Sequence, residues 1–274
     1  MEKMSSLGLR PMLAVPIEED LGESTGERRY DDNLASMLEC VSMSHRNAWS
    51  KDPMMQLKIT ALLSPELCPI SFPGLQESEN THFLCGLQRL NKVGEASANK
   101  VRVLVDAEYT YMNPALSLVT MAMMKKFNQD GESRSLLLED VRLSISESFC
   151  LGVKLVRGAY MDKERKLANN EGWSEPVHES WEHTNDSYNG SLDILLELIS
   201  QDPERYRIIV ATHNEESGYS VYKSVPYGSV DDTLPYLVRR AQENRTVLQG
   251  IRKERDLLRQ ELHRRLWQGL RQGR

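Results

Sequence analysis

None of the four cysteines, Cys40, Cys68, Cys85 and Cys150, forms a C-x-x-C pair, which argues against a zinc site, supplies no disulfide framework and points to a reducing compartment. No apolar run approaches the roughly 18 residues that a membrane span needs. Met1 to Arg10 holds two bases and one acid, a poor secretory or transit signal. No Gly-x-Gly-x-x-Gly follows a candidate strand, so a Rossmann-bound nicotinamide is disfavoured. Nor is there an excess of positive charge: the net charge is -6 and acids and bases interleave, so no nucleic-acid footprint is present and the expected partner is small.

What the chain does have is 274 residues with 40% hydrophobic side chains, enough for one large α/β domain or two small ones. Six short β-rich runs stand out: Leu9 to Val15, Gln56 to Leu62, Val101 to Val105, Gly152 to Val156, Arg207 to Ala211 and Ser220 to Val225. Each leads to a polar residue where a strand should end, respectively Glu18, Ser64, Asp106, Arg157, His213 and Tyr227. Chemistry gathered at the C-terminal ends of successive parallel strands marks a (β/α)-barrel or a doubly wound sheet. Between the runs, Pro114 to Phe127 and His183 to Ile199 carry apolar residues at helical spacing, and Met121, Met123 and Met124 read as core filler.

Two stretches break the alternation. Gln129 to Ser135 is polar where another strand is due, and His213 to Ser217 leaves too few residues for a helical crossover before Ser220. Further on, Arg239 and Arg240 stand side by side on a helix that follows the Pro226-Tyr227-Gly228 turn, with Tyr236 one turn earlier. Such a pair either grips a carboxylate bidentately or lies on a solvated face. The tail 247–272 puts Val247, Ile251, Leu258, Leu262 and Leu266 on one stripe of a basic helix, suited to docking on the domain or to a membrane surface or partner.

Several motifs, taken in order, resemble those of the proline dehydrogenase flavoproteins, in particular the animal hydroxyproline dehydrogenase branch. They are Val103-Leu104-Val105-Asp106-Ala107-Glu108, Gly152 to Tyr160 with Glu164, Ala211-Thr212-His213-Asn214, and Val225-Pro226-Tyr227-Gly228 followed by Tyr236-Leu237-Val238-Arg239-Arg240. The resemblance implies an α/β fold, a (β/α)8 TIM-like barrel spanning residues 1–274 as a single domain. It is incomplete, with six of eight strands: the fourth should follow Asn128 and the seventh should lie between Ser217 and Gly218. It further implies an FAD enzyme that oxidises 4-hydroxyproline or proline to a pyrroline carboxylate and passes electrons to quinone. The expected location is mitochondrial, on the matrix side of the inner membrane, with possible contact to that membrane's surface.

Residue by residue, the resemblance places Lys154 beside the reactive flavin nitrogen and Asp106 beneath the flavin. Arg157, Thr212 and His213 fall on the cofactor's phosphates, and Glu243 on its ribose. For the substrate it assigns Lys58, Arg239 and Arg240 to the carboxylate, Glu18 to an ion pair with Arg239, and Tyr160, Tyr236 and Leu155 to the ring. Ser224 replaces the Tyr of proline-specific members and leaves room for a ring hydroxyl. No metal is implied. The residues themselves add three conditions. Lys154 and Arg157 share a site only if the strand ends near Val156, with Gly158 supplying a turn. Asp106, if buried, needs a partner such as Lys58 or Lys154, and otherwise it caps the next helix. If the two strands are missing, the shortened chain is either a weakened enzyme or a catalytically silent relative that binds other chains.

Overall fold

A computed structural model describes residues 4, 6–17, 27–46, 51–68, 76–98, 100–108, 112–127, 136–211, 220–238, 240–242 and 259. The chain divides into two compact units, Met1–Tyr227 and Gly228–Arg274. The first contains strands β1 (Arg10–Ala14), β2 (Met54–Leu57), β3 (Arg102–Val105), β4 (Leu151–Leu155), β5 (Tyr206–Val210) and β6 (Tyr222–Pro226). Helices α1 (Glu27–Arg46), α2 (Glu77–Ser97), α3 (Asn113–Phe127), α4 (Leu136–Ser146), α5 (Met161–Glu171) and α6 (Trp181–Gln201) lie between them.

All six expected strands form, and every pairing is parallel. They make two separate sheets, one in the order β3-β2-β1-β6 and the other β4-β5. The first strand pairs with the last, as closure of a barrel requires, while ladder hydrogen bonding stops between β3 and β4 and between β5 and β6. Among the described residues the barrel is therefore two unclosed arcs, and the breaks fall in the two chain segments where the sequence rhythm fails. β2 is displaced from the Gln56 to Leu62 run: it covers Met54–Leu57, sharing only Gln56 and Leu57 with that run, and Ile59–Ala61 turn into a 3-10 helix. Side chains draw that backbone off the ladder, since Glu108 accepts from the Thr60 N–H and hydroxyl and Asn33 Nδ2 donates to Ala61 O at 2.8 Å.

Strand alternation sorts the side chains. Leu13, Met55, Leu57, Val103, Val105 and Val225 turn toward one core with Leu34, Met37 and Val41 of α1, Phe83, Leu90 and Val93 of α2, and Leu116 and Val119 of α3. A smaller core joins Leu151 and Val153 of β4 to Met121, Val141, Phe149 and Leu198, with Met124 against it; Met123 packs on the larger core, so the methionines are core filler. The alternate residues, Gln56, Ser224 and Lys154 among them, fall on the opposite face, which in a closed barrel is the lumen. In α2, Gly94 sits where any Cβ would collide with the Phe127 ring, so glycine permits the close approach of α2 and α3.

The α1–α2 pair is held by a buried cation. Arg89 of α2, 7% exposed, pairs through Nη2 with Glu27 and through Nε with Asp31 at 2.8 Å; Nη1 donates to Leu62 O at 3.4 Å, and the guanidinium lies 5.5 Å from the Tyr30 ring. The two acids are 37% and 65% exposed. Partial burial would raise the Glu27 carboxyl, but hydrogen bonds and charge from Arg89 and His82 outweigh it and hold the group below its ordinary value.

In the second unit a helix, α7, covers 230–238 and 240–242. Ser229 caps it: its Oγ accepts from the Asp232 N–H at 3.2 Å and donates to Asp232 Oδ2 at 2.6 Å. The helix follows the Pro226-Tyr227-Gly228 turn, as the sequence suggests. Of the expected basic helix 247–272, only Arg259 lies among the described residues, where it is helical.

Candidate functional site

The lumen-side residues of the two arcs meet at the C-terminal ends of the strands. Asp106 directly follows β3, and its N–H extends the ladder to Leu57 O at 2.9 Å. Its carboxylate receives Lys154 Nζ of β4 at 2.5 Å, joining the four-stranded arc to the two-stranded one. Each of these side chains is 18% exposed, so the pair is sheltered yet open on one side. Of the two candidate partners for Asp106, the structure pairs it with Lys154.

The chain of polar contacts continues. Gln56 of β2 donates from Nε2 to Asp106 Oδ1 at 3.5 Å, and Ser224 of β6 donates to Gln56 Oε1 at 2.5 Å, bridging over β1. In register, Ser224 neighbours Met12 and Met12 neighbours Met54, so Gln56, two residues further along β2, shares their face. Lys58 stands just beyond β2 and donates to the Tyr160 hydroxyl at 3.4 Å, with its ammonium 5.9 Å from the ring centroid. Tyr160 precedes α5 with φ of 59°. This left-handed backbone costs a residue with a Cβ about 1 kcal/mol and holds the phenol at the mouth beside Lys58.

β4 ends at Leu155 and Gly158 adopts φ of +71°, so the strand stops where Lys154 and Arg157 could share a site. Arg157 then points elsewhere: it is exposed, donates to Asn185 Oδ1 at 2.9 Å and lies 5.6 Å from the Tyr188 ring, both on α6. Leu155 is half-buried and by alternation lies on the helix-facing side, opposite Lys154. In the second unit, Arg240 lies 5.3 Å from the Tyr236 ring. Glu18, Thr212, His213, Arg239 and Glu243 lie outside the described residues.

Two residues at the site carry no role that the sequence alone suggests. Gln56 sits two residues before Lys58, a spacing of two that already places both on one strand face. Glu108 is the other: it is 8% exposed, binds the Thr60 hydroxyl at 2.6 Å and the Thr60 N–H at 3.2 Å, and its own N–H is bound by Asn113 Oδ1. It braces the turn that carries Lys58 against the end of β3. Burial pushes its carboxyl above the ordinary value of 4.5, and nearby Asp106 adds to this; the Thr60 hydrogen bonds and the Lys58 charge oppose it.

A raised folded-state value means that this carboxyl's contribution is fully present below pH 4.5 and is lost as pH rises through the folded-state value. Glu108→Gln, which does not titrate, is therefore expected to gain stability relative to the parent as pH rises above 4.5 through the folded-state value, read by urea unfolding. Glu108→Ala, which strands the Thr60 donors, is expected to cost about 1 to 3 kcal/mol. A pH-independent gap between the Gln variant and the parent would contradict this account.

Comparison with known proteins agrees with the geometry. A family model described as proline dehydrogenase matches residues 1–219 and 215–253. A hydroxyproline dehydrogenase of Xenopus laevis is 48% identical over an alignment of 347 positions, covering 97% of this chain and 74% of the relative. That alignment is longer than the 274 residues of the chain, so part of the relative has no counterpart here. The human protein named proline dehydrogenase 1, mitochondrial, is 34% identical, with 70% of this chain and 41% of that protein covered. Among solved structures, proline utilization A from Bdellovibrio bacteriovorus, inactivated by N-propargylglycine, superposes with a TM-score of 0.68 at 19% identity, over 89% of this chain and 31% of that one, a likeness of fold. The parallel α/β arcs, the polar residues converging at their C-terminal ends and these matches together make the chain a member of the proline dehydrogenase family of oxidoreductases.

Proposed function

We propose that this chain is an FAD-dependent dehydrogenase of 4-hydroxyproline, and secondarily of proline, yielding the corresponding pyrroline carboxylate and delivering electrons to quinone in the mitochondrion. The observation that carries the reading is the unbroken run Lys154, Asp106, Gln56, Ser224 across the lumen face of both arcs. It sets a cation at one end and a small hydroxyl at the other. Relatives named hydroxyproline dehydrogenase and proline dehydrogenase 1, mitochondrial, support the substrate class and the compartment.

Among the described residues Lys154 fits a flavin, offering a sheltered cation on the lumen face, whereas Arg157 is turned to Asn185 of α6 and would have to leave that contact to meet the cofactor's phosphates. The flavin, when bound, supplies the acceptor for a hydride from the ring carbon beside nitrogen. Lys154 stabilises negative charge developing next to it, and Asp106 fixes that ammonium in place while itself staying compensated. In the first unit Lys58 is assigned to the substrate carboxylate and Tyr160 to the ring; in the second, Arg239 and Arg240 are assigned to the carboxylate and Tyr236 to the ring. By family resemblance Thr212, His213 and Glu243 are assigned to the cofactor and Glu18 to an ion pair with Arg239. Ser224 accommodates the ring hydroxyl.

Among the described residues the strands do not close the barrel mouth, which leaves the flavin fewer contacts than a complete barrel offers, so retention should be weak. Expected results are sub-stoichiometric flavin after gel filtration, recovery of the absorbance band in excess FAD, and anaerobic bleaching by 4-hydroxyproline more readily than by proline. Protein that stays colourless with excess FAD and gives no bleaching would instead support a silent relative. The edge strands β3, β4, β5 and β6 of the two arcs are what such a protein would offer to other chains.

A further inference from the structure

Hydrogen-bond polarity along the lumen chain is determined from one end. Asp106, ion-paired with Lys154, has only acceptors to offer its neighbour. Gln56 must therefore present its amide N–H to Asp106, because the reverse orientation sets two oxygens against each other. That choice turns Gln56 Oε1 toward Ser224. Facing an oxygen that can only accept, the Ser224 hydroxyl has to donate, and it does so at 2.5 Å. Its single proton is committed, and the lone pairs of Oγ remain for a ligand.

We propose that Gln56 is a specificity-determining positioning residue: locked by Asp106, it makes Ser224 an acceptor, so that the site selects a ring substituent able to donate a hydrogen bond. The proposal rests on the reading of Ser224 as the residue that meets C4 of the ring. It adds a chemical sign to that reading. A 4-hydroxyl is welcomed because it donates, whereas a 4-fluoro group of the same configuration, close in size but without a proton, gains nothing. Gln56 itself need not touch the substrate; it acts through the Ser224 hydroxyl.

The test is ligand binding to the purified chain, supplemented with FAD, by calorimetry with 4-hydroxyproline, 4-fluoroproline and proline. The parent should bind the hydroxy compound about fivefold to tenfold more tightly than the fluoro one, the effect of about one hydrogen bond. In Gln56→Met the Ser224 proton is released, and this ratio should fall to within about twofold. Ser224→Ala should lose the same ratio, and adding Gln56→Met to it should change nothing further, a coupling that a merely structural role for Gln56 would not produce. If the parent binds the fluoro compound as well as the hydroxy one, or if Gln56→Met keeps the ratio, the role of Gln56 is overturned while the substrate class stands. If neither hydroxyproline nor proline binds, the substrate reading fails and this proposal fails with it.

Discussion

The double variant Glu27→Ala, Asp31→Ala is expected to lose about 3 to 5 kcal/mol of stability, the range for a buried charge deprived of its partners. Arg89→Met should cost less, although it removes the residue at the centre of the cluster. The asymmetry follows from exposure. Arg89 is 7% exposed, and without its acids it becomes an uncompensated cation beneath α1, whereas Glu27 and Asp31 at 37% and 65% exposure return to water once the arginine is gone. Met also fills much of the vacated volume. Acid should mimic the loss of the Glu27 partner alone: its contribution is fully present above its ordinary value of 4.5 and is lost as pH falls through the lower folded-state value. Denaturant unfolding of both variants at neutral pH decides the matter, and an Arg89→Met loss equal to that of the double variant would refute the asymmetry.

The second large effect is on substrate binding. Replacing Arg240 by Met is expected to raise the KM for 4-hydroxyproline tenfold to a hundredfold, roughly the loss of a charge-assisted hydrogen bond of about 1.5 to 3 kcal/mol. Arg239→Met should act alike. Flavin content should hold nearly constant in both, because neither residue is assigned to the cofactor. Arg240 suits carboxylate binding because the Tyr236 ring lies 5.3 Å from its guanidinium, where a cation–π contact helps to fix the donor fork. Steady-state kinetics at saturating FAD tests this, and an unchanged KM in both variants would move the carboxylate site elsewhere.

The six strands were legible because each is a compact β-rich run ending in a polar residue, and parallel strands covered by helices carry that signal strongly. The boundary of β2 was not legible. Gln56 to Leu62 looks continuous, and what stops it at Leu57 is Glu108, about fifty residues away in sequence. The pairing of Asp106 with Lys154 rather than Lys58 was likewise a choice between two equal charges that only the fold could make. Gln56 is not marked in the sequence because a glutamine in a strand carries no chemical signature until its neighbours are known, nor is Arg89, whose partners lie on a different helix. The breaks in rhythm after Phe127 and His213 were the most informative part of the sequence, since among the described residues ladder hydrogen bonding stops between the flanking strands in both places.

That division has a consequence for how the molecule breathes. The arc of β4 and β5 has two strands and the smaller core, of which Met121, Val141, Phe149 and Leu151 are the buried members. Among the described residues this is a two-stranded sheet, and such a sheet is marginal by itself. Its backbone amides should exchange with deuterium sooner than those of β1, which is flanked on both sides and lies over the larger core, so that the molecule opens in two cooperative steps rather than one. The lumen-face links between the arcs, Lys154 to Asp106 and Lys58 to Tyr160, are also the contacts that line the mouth. Whatever settles there fastens the loose arc to the firm one, and slowed exchange in β4 and β5 would register occupancy even in a preparation that turns nothing over.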